Sequence, residues 1–126
     1  MQLKKQNTRT AEISLDKRGF MKIKILPDSI IDVEDALDNL LVIKSYSSGK
    51  KILKLIDLRG RWTMTKTAKE VSKKNVSAEN TIARAYVIDS YLTKIMLSFF
   101  QSFQSKELPQ QFFNSEEDAI KWLLSL

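Results

Sequence analysis

Two carboxylates and a cluster of cations are the side chains on which this chain could do chemistry. Asp57 closes the apolar run Ile52, Leu53, Leu55, Ile56, and Asp89 closes a second run from Thr81 to Ile88, so each falls where a strand would end. Carboxylates at strand ends can move protons or hold a hard cation through oxygen. They can equally fasten loops, cap helices or pair with Arg59 and Arg61, and that commoner use is the expectation. The chain has no His and no Cys, which removes imidazole and thiol nucleophiles, Ser-His-Asp arrangements and the usual zinc sites. No catalytic residue, metal ligand or cofactor site is therefore assigned, and a non-enzymatic role is expected.

The cations lie between those carboxylates. Arg59, Arg61, Lys66, Lys69, Lys73 and Lys74 follow one another, with Trp62, Thr65 and Thr67 interleaved. Residues 50–74 hold nine Lys and Arg against two acids, a net +7 in a chain whose whole formal charge is +6. Such a patch suits an acidic protein surface, nucleic acid or anionic lipid, and its plain alternative is a solvated lysine face. Base stacking needs exposed aromatics among the cations, and one Trp is a thin platform, so nucleic acid is not the expected partner.

The elements that must position these residues can be read from periodicity. Thr10 to Asp16 and Phe20 to Leu26 alternate apolar and polar residues around a turn at Gly19, which predicts an antiparallel hairpin. Asp32, with Asp35 three residues on, predicts the start of a helix over about 33–46, ended by Ser47, Ser48 and Gly49. The near-continuous apolar runs at 51–57 and 81–88 predict central strands covered on both faces. Thr65 is the expected N-cap of a helix over 66–74, and Ser115 that of a final helix carrying Ala119, Ile120, Leu123 and Leu124 after a short strand at 111–113.

Between them, residues 90–103 predict a helix whose stripe of Leu92, Ile95, Met96, Phe99 and Phe103 already satisfies one sheet contact. Leu97 and Phe100 lie beyond that stripe. With Phe103 and Trp122 this surplus has three readings: burial, a self-association or partner surface that includes a homodimer, or the lining of a site for an apolar small molecule or lipid.

The predicted order is ββαβαβαβα: an α/β fold with a mixed sheet of about five strands and about four helices. A flexible arm is expected over 1–9 and a single domain over 10–126, large enough to bury roughly two thirds of its unfolded surface. No apolar run approaches the roughly 18 residues of a membrane span and no leader-like segment follows the first lysines, so the expected location is the cytoplasm.

The segment LIDLRGRWTMTKTA after a central strand, the ending FFNSEEDAIKWL and the element order together resemble the SpoIIAA-like or STAS superfamily, more narrowly its small stand-alone bacterial members of unassigned function. The resemblance covers about residues 10–126 and implies a SpoIIAA-like fold and a regulatory protein as partner. Phospho-regulated antagonists of that superfamily place a serine at the start of the helix after this strand. Asp57, Leu58 and Gly60 match the strand end, but Lys66 stands at the serine position, so phosphorylation is not carried over. Thr65 and Thr67 are the neighbouring hydroxyls. The expectation is binding of an acidic partner surface through Asp57, Arg59, Arg61, Trp62, Thr65, Lys66, Thr67, Lys69 and Lys73. The alternative is an apolar ligand held by the 90–103 helix face at Leu97, Phe100 and Phe103.

Overall fold

A computed structural model of the chain describes residues 2–75, 80–89 and 108–126. Its centre is a six-stranded mixed sheet built of β1 (Gln2–Asn7), β2 (Ala11–Asp16), β3 (Phe20–Ile25), β5 (Ile52–Asp57), β7 (Thr81–Val87) and β8 (Gln110–Phe113), in that spatial order. The first three strands pair antiparallel and the last four pair parallel, so β3 belongs to both kinds of ladder. Helices α1 (Val33–Ser47), α2 (Lys66–Asn75) and α3 (Glu116–Leu124) cover the sheet. A small parallel pair, β4 (Ile30–Ile31) with β6 (Thr63–Met64), ties the loop after β3 to the loop after β5.

Strand alternation sorts the apolar side chains onto two faces. On one, Ala11, Ile13, Met21, Ile23 and Tyr86 meet Ala36 and Val42 of α1 and Ala68 of α2. On the other, Phe20, Leu55, Ala83, Ala85 and Val87 meet Ala119 and Leu123 of α3. This two-sided cover is what the near-continuous apolar runs of β5 and β7 predict.

The caps act as the sequence indicates. Asp32 and Asp35 form a reciprocal capping box at the start of α1, and Ser48 closes that helix in a left-handed conformation. The Thr65 hydroxyl accepts the Ala68 N–H at 3.2 Å and donates to Asp32 Oδ1 at 3.1 Å, which links the starts of α2 and α1. Ser115 accepts the Asp118 N–H at 3.1 Å at the start of α3.

Three details differ from the expectation. The segment expected as a flexible arm contains β1, paired along β2 from Gln2↔Asp16 to Asn7↔Glu12. Its side chains are mostly polar, so apolar periodicity is silent, and its order comes from the backbone ladder on the open edge of β2. Arg9, just beyond β1, anchors the return through the Asp35 carboxylate and the Ile30 carbonyl. The β4–β6 pair is the second difference, since two-residue strands are too short to leave a pattern. The third is the strand count of the main sheet, which among the described residues is six where about five were expected. The expected helix at 90–103, with Leu97, Phe100 and Phe103, lies outside the described residues.

Candidate functional site

The corner that follows β5 is closed by its own charges. Asp57 is buried at 2% exposure and accepts three hydrogen bonds from Arg59: from its main-chain N–H at 3.1 Å, from Nε at 3.0 Å and from Nη2 at 2.8 Å. Burial pushes the Asp57 carboxyl up, but the hydrogen bonds and charge of Arg59, with Lys22 beyond, outweigh it and hold the group below the ordinary carboxylate range. Hydrogen bonding to Asp57 raises Arg59 in turn. Arg59 also approaches Glu116 Oε2 at 3.6 Å, and Lys22 Nζ meets Glu116 Oε1 at 2.7 Å, so the pair is joined to the first residue of α3.

The second carboxylate fastens the same loop. Asp89 Oδ2 accepts the Gly60 N–H at 2.9 Å, and Gly60 holds φ +96, a conformation that glycine adopts without a side-chain clash. Leu58 donates its N–H to Val87 O at 2.9 Å while its carbonyl accepts Trp62 Nε1 at 2.9 Å. Asp57 and Asp89 therefore converge on one loop, as structural fasteners for it. Among the described residues no three carboxylates gather as a metal site would require.

Trp62 is buried at 6% exposure among the side chains of the α1 and α2 face. It is a lid on the core whose indole N–H is used internally, and it offers no ring for stacking on a ligand. Arg61, Lys66, Thr67 and Lys69 are exposed, Thr65 is half-buried, and Lys73 falls in the last turn of α2. The candidate residues thus divide in two. Asp57 and Arg59 join α3 on one side of the sheet, whereas Lys66, Thr67 and Lys69 ride on α2, which packs over the opposite side.

Two charged residues escaped the sequence reading. Lys54 and Arg84 are register partners on β5 and β7, at 8% and 5% exposure. Their signal was present: a single cation in the middle of each of two apolar strands, KILKLID and TIARAYV. Burial, and then the charge of Arg84, push the Lys54 ammonium down to about 8.

Known proteins place this architecture. An uncharacterised protein of the DUF3478 family from Shewanella loihica PV-4, described as having a SpoIIAA-like fold, superposes with a TM-score of 0.63 at 16% identity. The match covers 95% of this chain and 90% of that one. At that identity the likeness speaks for the fold alone, which is SpoIIAA-like as the resemblance implied. No curated protein matches the sequence. Residues 13–126 match the profile of a domain of unknown function, and by that match the chain belongs to the DUF7793 family.

Proposed function

We propose that this chain is a non-enzymatic interaction module of SpoIIAA-like type, which binds a regulatory protein through an acidic surface of that partner. The contact is made by the loop and helix from Arg59 to Lys74. The observation that carries this reading is the exposure of Arg61, Lys66, Thr67 and Lys69 on a segment whose backbone is held at several points. Gly60 bonds to Asp89, Thr63 N–H to Ser29 O at 2.9 Å, Thr65 N–H to Ile31 O at 2.9 Å, and Trp62 is buried beneath. A segment fixed in this way loses little conformational entropy on binding, and its cations attract an acidic surface over about a Debye length. Both oxygens of Asp57 are engaged by Arg59, and Oδ2 of Asp89 by the Gly60 N–H.

Capture of partners from cells that express the protein tests the reading. Wild type should retain a partner that the triple variant Lys66→Glu, Lys69→Glu, Lys73→Glu does not, while both melt alike. Identical partner sets would sink it.

A further inference from the structure

Helix α1 is apolar on two sides. Ala36, Val42, Ile43 and Tyr46 turn toward the sheet and pack in or against the core, as an amphipathic helix requires. On the opposite side Leu37 and Leu41 are 46% and 65% exposed, an i, i+4 pair that neighbours on one face. A single exposed leucine is ordinary on a protein surface, but this pair has a pattern around it. Glu34 lies three residues before Leu37 and Lys44 three residues after Leu41, and all four are exposed. The spacing of three, four and three residues is the stripe by which two helices seat on each other along a seam.

The stripe is self-complementary when reversed. A two-fold axis level with Asn39, midway along it, runs a second copy of α1 antiparallel to the first and sets Leu37 against Leu41 of that copy. The same axis sets Glu34 against Lys44 of that copy, and by symmetry each contact occurs twice. Neither Glu34 nor Lys44 takes part in an ion pair among the described residues, so both charges are available to the contact. A parallel pairing would oppose Glu34 to Glu34 and Lys44 to Lys44, which like-charge repulsion disfavours. Asp38 flanks the seam near its own copy and is exposed, where water screens the repulsion to a minor cost.

We propose that the exposed face of α1 is a self-association surface whose occupant is a second copy of this chain, docked as an antiparallel two-fold helix pair. Leucines from both copies form its centre, and ion pairs between Glu34 and Lys44 form its ends. Apolar burial supplies the attraction, and the charges fix direction and register. One helix of 15 residues on each side makes a contact below the size of a standard interface, so the dimer is a weak one that fills as concentration rises. The surface uses no residue assigned to partner binding, so the two readings stand or fall separately.

Sedimentation of the full chain from about 1 μM to about 1 mM tests the proposal, a range over which a weak dimer goes from dissociated to populated. Wild type should pass from monomer to dimer. Leu41→Gln, which keeps a good helix former at the position, should weaken the dimer about tenfold or more. Glu34→Lys and Lys44→Glu should each weaken it several-fold. The chain carrying both should recover wild-type association, because reversing both ends restores both ion pairs. Melting curves at low concentration show that each variant is folded before it is compared. A chain that stays monomeric throughout the range overturns the proposal and leaves the α1 face to some other protein. Association that Leu41→Gln leaves unchanged overturns it too, as does a doubly reversed chain that associates no better than the single reversals.

Discussion

Asp57 and Arg59, two residues apart, are joined by three hydrogen bonds of 3.1, 3.0 and 2.8 Å that turn the end of β5 back on itself. A carboxylate at a central strand end can do acid/base work or fasten a loop, and the second use is the one the sequence favours. Here its oxygens are engaged by one neighbour, and the group is a fastener.

That pairing makes Asp57→Ala destabilising by about 1–3 kcal/mol in denaturant unfolding, because the Arg59 N–H and guanidinium lose their acceptor while Arg59, 41% exposed, regains water. The carboxyl is held below its unfolded value, so its contribution is complete above that value, about 4, and is lost as pH falls through the folded one. Acid unfolding of wild type should therefore show a loss that Asp57→Ala lacks. Equal stability of the two proteins at neutral pH would contradict the pairing.

Gly60 gives a second prediction. A Cβ at this position would meet nothing within 4 Å, so the cost of Gly60→Ala is the backbone strain of φ +96 alone. A loss of about 1–2 kcal/mol is expected, with Asp89→Ala costing about 1 kcal/mol or more through the freed Gly60 N–H. The double variant should fall short of the sum, since both act on one loop. Strict additivity would show that the two residues are not coupled.

Lys54 gives a third. In the unfolded chain it keeps its proton up to about 10.5, but in the fold only up to about 8, so the unfolded state binds more protons between those values and stability rises with pH there. Burial raises the Tyr86 hydroxyl, which works the other way above about 10 and closes the window. Lys54→Met should be the more stable protein at neutral pH by on the order of 1–3 kcal/mol and should lack the rise toward pH 9.5. Urea unfolding at several pH values checks this; parallel stability curves for the two proteins would contradict it.

The parts of this fold legible in the sequence are those set by local pattern. The alternation in β2 and β3, the capping box at Asp32 and Asp35, and the caps at Thr65 and Ser115 are local signals, and each appears where its residues indicate. What escaped depends on contacts across the chain. β1 exists because β2 offers an open edge, which its own Lys4, Lys5 and Gln6 do not announce. The burial of Trp62 depends on α1 and α2 meeting over the sheet, so in sequence a tryptophan among cations is open to both a contact role and a lid over the core. Lys54 and Arg84 were visible singly, but their adjacency follows from strand register, which periodicity does not set.

The most direct test of the interaction reading is the affinity for the captured partner, measured for wild type and for Lys66→Glu, Lys69→Glu at low and at physiological salt. Both substitutions fall on exposed positions, so the melting temperature should hold while affinity drops about tenfold or more, and the wild-type affinity should weaken as salt screens the contact. An affinity that neither substitution nor salt alters would contradict the assignment of binding to this helix.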